Sequence, residues 1–269
     1  MKNYIPKKIH YCWFGRNPLP DDVKEYIESW KKCCQDYEII EWNEDNFDMN
    51  CNDYVKEAYQ AKKWAFITDY VRLYVMYNYG GIYMDTDVEV LKSLDPFLKH
   101  HAFSGFESSN NIPTGIMASE KGFKLYKEFL DYYNDKHFIN KDGSLDTTTN
   151  VVIMTNICKK YGLKQNNEYQ EIEGWALYPS DYFCPKDYRD GTINLTDNTV
   201  VIHHFSGSWQ SQETIKRKKI QQRLNKKYGN NTGKVLYNTI YLPYRIISEI
   251  KEHGIIGSIR FIKKHRNTK

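Results

Sequence analysis

Residues 80–87 read Gly-Gly-Ile-Tyr-Met-Asp-Thr-Asp. Two carboxylates, Asp85 and Asp87, stand two residues apart where a short apolar run ends. On a strand, that placement carries both toward the carboxyl end of a sheet, the edge at which open α/β sheets bind ligands. Carboxylates there are hard oxygen ligands, suited to a divalent cation that also holds substrate phosphates. A second pair, Asp69 and Arg72, lies one helical turn apart on the preceding segment and so on one face. At a surface such a pair is a salt bridge worth well under ~1 kcal/mol. Facing inward, it is presented to the same cleft as Asp85 and Asp87.

These residues need elements to position them. In 64–79 the apolar residues Ala65, Phe66, Leu73, Met76 and Tyr77 recur at helical spacing, and Gly80–Gly81 stop the helix. Ile82 to Met84 then form a short buried strand. Upstream, 7–14 reads as a strand, Pro20 to Cys34 as a helix, Tyr37 to Trp42 as a second strand and 53–62 as a helix. Downstream, strands are expected near 102–106, 115–118 and 199–205, and helices at 121–134 and 151–161. The stretches 139–149 and 164–170 are polar and loop-like. Alternating strands and helices argue for a largely parallel sheet with helices on both faces.

The segment T-D-Y-V-R-L-Y followed by G-G-I-Y-M-D-T-D resembles the sugar-binding and Asp-X-Asp region of glycosyltransferase family 32. It also resembles the catalytic domain of the large clostridial glucosylating toxins. Residues 6–15, PKKIHYCWFG, look like that family's opening strand, and 203–209, HHFSGSW, like its closing metal-and-phosphate motif. Three motifs in order cover residues 6–209; the last sixty residues lie outside the resemblance. It implies a GT-A fold, a Rossmann-like mixed α/β sheet flanked by helices. The domain division expected is 1–210 for the catalytic domain and 211–269 for a basic helical extension.

The resemblance further implies a retaining transfer of a hexose from a nucleotide-diphosphate sugar, with Mn²⁺ or Mg²⁺ as cofactor. UDP-sugar is the favoured donor and GDP-sugar the second, with a glycan or glycolipid acceptor in cell-surface polysaccharide synthesis. Asp87 would coordinate the metal directly, and Asp85 through water while touching ribose or sugar. Tyr83, within the same motif, is counted with the cofactor-binding residues. Trp13 would stack the base, a contact worth roughly 1–3 kcal/mol, and Asn43 would hydrogen-bond base or ribose. Asp69 and Arg72 would read the sugar hydroxyls. Ser208 and the indole N–H of Trp209 would donate to the β-phosphate. Asn150 is a candidate for a polar group beneath the sugar, and 107–114 for the acceptor side. His204, after Val200–Val201–Ile202, is taken as the third metal ligand, where the toxins carry glutamate. His203 is the alternative, since strand alternation turns only one of the two toward the cleft. Imidazole beside carboxylates favours Mn²⁺ over Mg²⁺.

Composition narrows the rest. The six cysteines form no Cys-X-X-Cys pair, so neither a zinc site nor a disulfide framework is indicated, and reduced thiols in a cytoplasmic protein are expected. No apolar run suggests a signal peptide or a membrane span. Charge is segregated: residues 211–269 carry 15 Lys and Arg against 3 acidic residues, while the remainder is net negative. Apolar residues alternate with these charges in 234–262 across helices expected near 212–228, 234–252 and 255–265. That composition fits either an anionic membrane surface on the cytoplasmic side or a helical cap on the domain; no nucleic-acid recognition motif accompanies it. Two rival functions remain. A metal-dependent nucleotidyltransferase or nucleotide-sugar hydrolase would call for a Gly-rich phosphate loop or further acidic clusters, which are absent. A carbohydrate- or membrane-binding module would leave Asp85, Asp87 and the histidine without a purpose.

Overall fold

The computed structural model describes residues 2–107, 111–112, 114–207 and 210–243. The chain divides into two compact units, one of residues up to Lys186 together with 193–209, the other of 187–192 together with the segment from Gln210 onward. The second unit thus includes a short loop that a division at residue 210 does not anticipate.

In the first unit, β1 (Lys8–Cys12), α1 (Asp21–Cys33), β2 (Glu38–Trp42), α2 (Asp53–Gln60), α3 (Trp64–Tyr79) and β3 (Gly81–Met84) follow the expected order. Each has a local cause. Asp21 and Asp22 sit at the positive end of α1 and Lys31 and Lys32 at its negative end. Asn52 caps α2 by accepting from the Val55 amide. Gly80 ends α3 at φ 67°, and a Cβ there would lie 2.6 Å from the Lys121 nitrogen, so no other residue fits the turn. His10 locks the same turn from β1. Its Nε2–H donates to the Gly80 carbonyl at 3.0 Å and its Nδ1 accepts from Trp42 Nε1 at 3.1 Å.

Then come β4 (Val88–Val90), β5 (Ala102–Gly105), β6 (Ile116–Ser119), α4 (Lys124–Asp131), α5 (Asn150–Lys159), β7 (Gln170–Ile172), β8 (Trp175–Tyr178), α6 (Ser180–Phe183) and β9 (Val201–His203). Seven strands form one sheet in the order β2-β1-β3-β6-β5-β8-β7, and β4 with β9 form a second, small one. The first three strands are mutually parallel, but β3–β6, β6–β5 and β8–β7 are antiparallel. The sheet is therefore mixed, as the GT-A resemblance implies, rather than largely parallel. One reason is a two-residue turn at Glu173–Gly174, both at positive φ, which can join only antiparallel strands.

Strand alternation divides the core. Tyr83 joins the cluster containing Phe66, Val71 and Met76 of α3, while Ile82 and Met84 join the one containing Trp30 of α1 and Val201 of β9. Helices α2 to α5 thus cover one face of the large sheet. α1 and the small sheet cover the other. Among the described residues, no helix is long and apolar enough to cross a membrane.

In the second unit, α7 (Gln212–Tyr228) is capped by Ser211. Helix resumes at 230–243 after a break at Gly229 alone, shorter than the 229–233 break expected. Asn225 donates to the Arg189 carbonyl and Gln222 to that of Tyr188, which ties the 187–192 loop to α7. The rest of the expected 234–252 helix and all of the one at 255–265 lie outside the described residues.

Candidate functional site

The carboxyl ends of β1, β2 and β3 lie side by side, with Cys12 paired to Trp42 and His10 to Tyr83. The loops leaving those ends carry Trp13, Asn43 and Asp85. Neighbouring strands are ~4.8 Å apart, so chain topology alone gathers these three residues along one edge.

Asp85 is held from three directions. Its amide donates to the Gly115 carbonyl at 2.8 Å. Its Oδ1 accepts from the Tyr83 hydroxyl at 2.9 Å and lies 3.2 Å from Arg72 Nη2. Its Oδ2 is left facing His203 Nε2, 4.0 Å away. Asp87 repeats the pattern. Oδ2 accepts from the Ser206 amide at 2.7 Å, and Oδ1 lies 3.3 Å from His203 Nε2. Each carboxylate thus has one oxygen held by the protein and one aimed at a shared point. One donor atom from each of Asp85, Asp87 and His203 falls within a 4.8 Å group. Two oxygens and an imidazole nitrogen that close together fit a divalent cation bound at 2.0–2.5 Å, and the outer contacts are of the kind that orient metal ligands.

The electrostatics agree. Burial opposes ionisation of Asp87, but the facing His203 imidazole and the Ser206 amide outweigh it and pull its pKa down to about 2. Burial likewise disfavours charge on His203, and the Asp87 carboxylate outweighs it, holding the imidazole well above its ordinary value.

Of the paired histidines, the structure brings His203, not the expected His204, to the two carboxylates. His203 pairs with Val88 in the β4–β9 ladder and its ring turns toward the β3 end. His204 turns the other way. Its Nε2–H donates to Glu89 Oε2 at 2.8 Å, and its ring stacks on Tyr26 with centroids 4.8 Å apart. Only its backbone serves the site, donating to the Asp87 carbonyl at 2.9 Å. The two residues do face opposite ways, as alternation requires, but a one-residue uncertainty in strand phase exchanges them.

Asp69 and Arg72 are more enclosed than an open, sugar-reading pair would be, at 8% and 5% exposure. Arg72 lies 3.4 Å from Asp69 and donates to the Thr114 carbonyl at 2.8 Å and to Thr68. It also sits over the Tyr83 ring, 4.9 Å from its centroid. Burial lifts the Asp69 carboxyl against the pull of Arg72, to about 6. Asn150, expected beneath the sugar, is instead completely buried at the start of α5. Its amide and Nδ2 donate to Asp69 Oδ2 (3.3 Å) and the Asp69 carbonyl (2.6 Å), and its Oδ1 accepts from Tyr133. It positions Asp69. Tyr83, expected among the cofactor-binding residues, is likewise buried, at 1% exposure, with its hydroxyl given to Asp85.

At the other end of the edge, Trp13, Arg16, Asn17, Glu41, Asn43, Glu44 and Asp45 line an open depression of about 230 Å³. Trp13 is half-buried there, its Nε1 donating to the Asn17 carbonyl at 2.6 Å. Asn43 lines the same hollow, but its Nδ2 donates to Glu41 and its Oδ1 accepts from the Asp45 amide. Its side chain is engaged in shaping its own turn. Ser208 and Trp209 lie outside the described residues. Of the expected acceptor segment 107–114, the described Thr114 contributes its carbonyl to Arg72. Sequence reasoning missed the adjacent Gly115, whose carbonyl holds Asp85 and which carries no side chain to announce itself.

Residues 20–104 match the family described as glycosyltransferase sugar-binding region containing DXD motif. Inositol phosphoceramide mannosyltransferase 3 of Schizosaccharomyces pombe is 31% identical over 125 residues, 44% of this chain and 34% of that protein, so the chain spans about a third of that relative's length. An uncharacterized glycosyltransferase, L373, of Acanthamoeba polyphaga mimivirus is 25% identical over 76% of this chain and 84% of its own. Among solved structures, the galactosyltransferase LgtC in complex with donor and acceptor sugar analogs is 14% identical. It covers 86% of this chain and 95% of that one, with a TM-score of 0.42.

Proposed function

We propose that this chain is a glycosyltransferase of the family 32 type, making a retaining, metal-dependent transfer of a hexose from a nucleotide-diphosphate sugar to a glycan or glycolipid acceptor. The observation that carries this reading is the convergence of Asp85 Oδ2, Asp87 Oδ1 and His203 Nε2 at the carboxyl edge of parallel strands, beside the Trp13 hollow. Mn²⁺ or Mg²⁺ bound there would neutralise the diphosphate as it leaves the sugar. Asp85 and Asp87 supply the negative charge that holds it, and Tyr83 and the Ser206 amide fix their orientation. Trp13 offers a flat apolar face to a nucleobase. Asp69, set by Asn150 and Arg72, offers a carboxylate edge to a sugar hydroxyl. UDP-sugar is the first donor to test and GDP-sugar the second. The relative named a mannosyltransferase makes mannose one of the sugars to include.

A nucleotidyltransferase would need a further phosphate-holding group near the three ligands, and among the described residues the metal-capable cluster is Asp85, Asp87 and His203 alone. For the second unit we propose a role at an anionic membrane surface on the cytoplasmic side. Exposed Lys216, Lys219, Arg223 and Lys226 recur at three- and four-residue spacing along one face of α7, and Val235, Ile240 and Leu242 stand exposed beyond it. Co-sedimentation with anionic but not neutral vesicles, reversed by salt, is the expected result. Equal sedimentation with both would exclude it. The donor reading is tested by scoring UDP- and GDP-sugars for slow hydrolysis with and without Mn²⁺. Hydrolysis of one donor that requires the metal is expected; metal-independent hydrolysis, or none with any donor, would overturn the reading.

A further inference from the structure

Three stretches of chain meet at the metal-ligand cluster: the end of β3, the start of β6 and the end of β9. Gly115 is the residue on which they converge. It immediately precedes β6 and stands opposite Asp85, continuing the register in which Met84 faces Ile116. Its carbonyl accepts the Asp85 amide at 2.8 Å, and the neighbouring Thr114 carbonyl accepts Arg72 Nη1 at 2.8 Å. On its other side lies the His203 ring. A Cβ at residue 115 would come within 2.6 Å of His203 Nδ1, 2.7 Å of Cε1 and 3.0 Å of Cγ. Real Cβ atoms do not approach other atoms that closely, so either the ring or the strand would have to move.

The ring has little freedom to give way. Its far edge faces Asp87 Oδ1 at 3.3 Å, and Phe205 packs on it with centroids 4.1 Å apart. A ring pushed off residue 115 would carry Nε2 away from the point where the two carboxylates aim. Backbone φ at Gly115 is not among the positive values. The requirement for glycine here is therefore one of space and not of conformation.

We infer that Gly115 is a positioning residue for the metal site: its missing side chain seats the His203 imidazole, while its carbonyl fixes Asp85 on the facing strand. This deepens the proposed function and rests on it. It also assigns a role to the 114–115 dipeptide, which holds Arg72, Asp85 and His203 together without contributing a side-chain functional group. An outer-shell residue of this kind moves metal affinity by roughly 10–100-fold when it is changed.

The test is a double-mutant cycle on Mn²⁺ affinity, read by the electron paramagnetic resonance signal of free Mn²⁺, with thermal unfolding measured alongside. His203→Ala alone is expected to weaken Mn²⁺ binding at least ~10-fold while leaving it measurable. If it retains wild-type affinity, the metal reading itself fails, whatever Gly115 does. Gly115→Ala is expected to weaken Mn²⁺ at least ~10-fold. In the His203→Ala background it should weaken Mn²⁺ no further and should unfold at the same temperature as His203→Ala alone, because the ring it would strike is gone. A folded Gly115→Ala protein with wild-type Mn²⁺ affinity overturns the inference. So does a Gly115→Ala protein that fails to fold and is not rescued by His203→Ala, since the added methyl would then be striking something else.

Discussion

The two ends of the candidate cleft are built differently. At the metal end, each group takes at least one contact from an element other than its own. Asp85 is held by the residue before β6, by α3 and by Tyr83 of its own strand, His203 is seated by the residue before β6, Asp87 takes an amide from the chain after β9, and Asp69 is fixed by the start of α5. At the Trp13 end, the Trp13 and Asn43 side chains bond locally, Trp13 to Asn17 and Asn43 to Glu41 and Asp45, and the two loops are joined by Arg16 to Asp45 and the Gly15 amide to Glu44. A preorganised corner can stabilise charge as it develops, because its dipoles are already fixed. An open hollow with a half-buried indole on its wall is, on the proposed reading, the place for binding. The difference teaches where chemistry and affinity separate in this molecule.

Substitutions can break that comparison or sharpen it. The largest effect is expected from Asp87→Asn, which keeps the shape and removes charge. Transfer should fall roughly 100–1,000-fold, as when an electrostatic stabiliser is lost. Near-normal turnover would dissolve the distinction between the two ends. Next is Asp69→Asn, expected to lower kcat roughly 10–150-fold, the loss of a charged hydrogen bond worth about 1.5–3 kcal/mol. Binding of free nucleotide diphosphate should persist. The Asp69 carboxyl takes up a proton as pH falls through about 6, so wild-type kcat should decline on that side and the variant should lack this limb. The sign for stability is the opposite. A carboxyl whose folded value is raised costs stability as pH rises from about 4 to about 6, and ionised Asp69 is retained against that cost.

Trp13→Ala should produce a smaller and different change. Nucleotide affinity is expected to fall by about 1–3 kcal/mol whichever sugar is attached, with kcat at saturation nearly unchanged. Calorimetry with UDP and GDP separates this from a loss of turnover. The smallest effect is expected from His204→Ala. It removes one partly exposed pair with Glu89 and a stack on Tyr26, a matter of about 1 kcal/mol or less. The unfolding temperature should drop by roughly 2–4 °C while transfer stays near wild type.

Much of this was legible in the chain, and the reasons are particular. Asp85 and Asp87 announce themselves because a glycine stop, an apolar strand and two carboxylates follow in eight residues. Helix α3 was placed to the residue by its periodicity and its Gly80 stop. What failed was phase and reach. His203 and His204 are chemically identical neighbours, and only the pairing of β9 with β4 decides which faces the carboxylates. Strand β4 is three residues long and reads as a continuation of the Asp-X-Asp segment. The β7–β8 hairpin turns on Glu-Gly instead of the commoner Asn-Gly or Asp-Gly, so its signal is weak. Asn150 and Tyr83 were found by type, but their long-range partners Asp69, Tyr133 and Arg72 make them supports. Gly115 was invisible because its contribution is a carbonyl and an empty volume.

The central claim is that Asp85, Asp87 and His203 form one divalent-cation site. It is tested most directly by Mn²⁺ titration, with UDP or GDP present, of the wild-type protein beside His203→Ala and His204→Ala. The account expects wild-type-like affinity in His204→Ala and at least ~10-fold weaker binding in His203→Ala. The reverse ranking, or equal binding in all three, would contradict it.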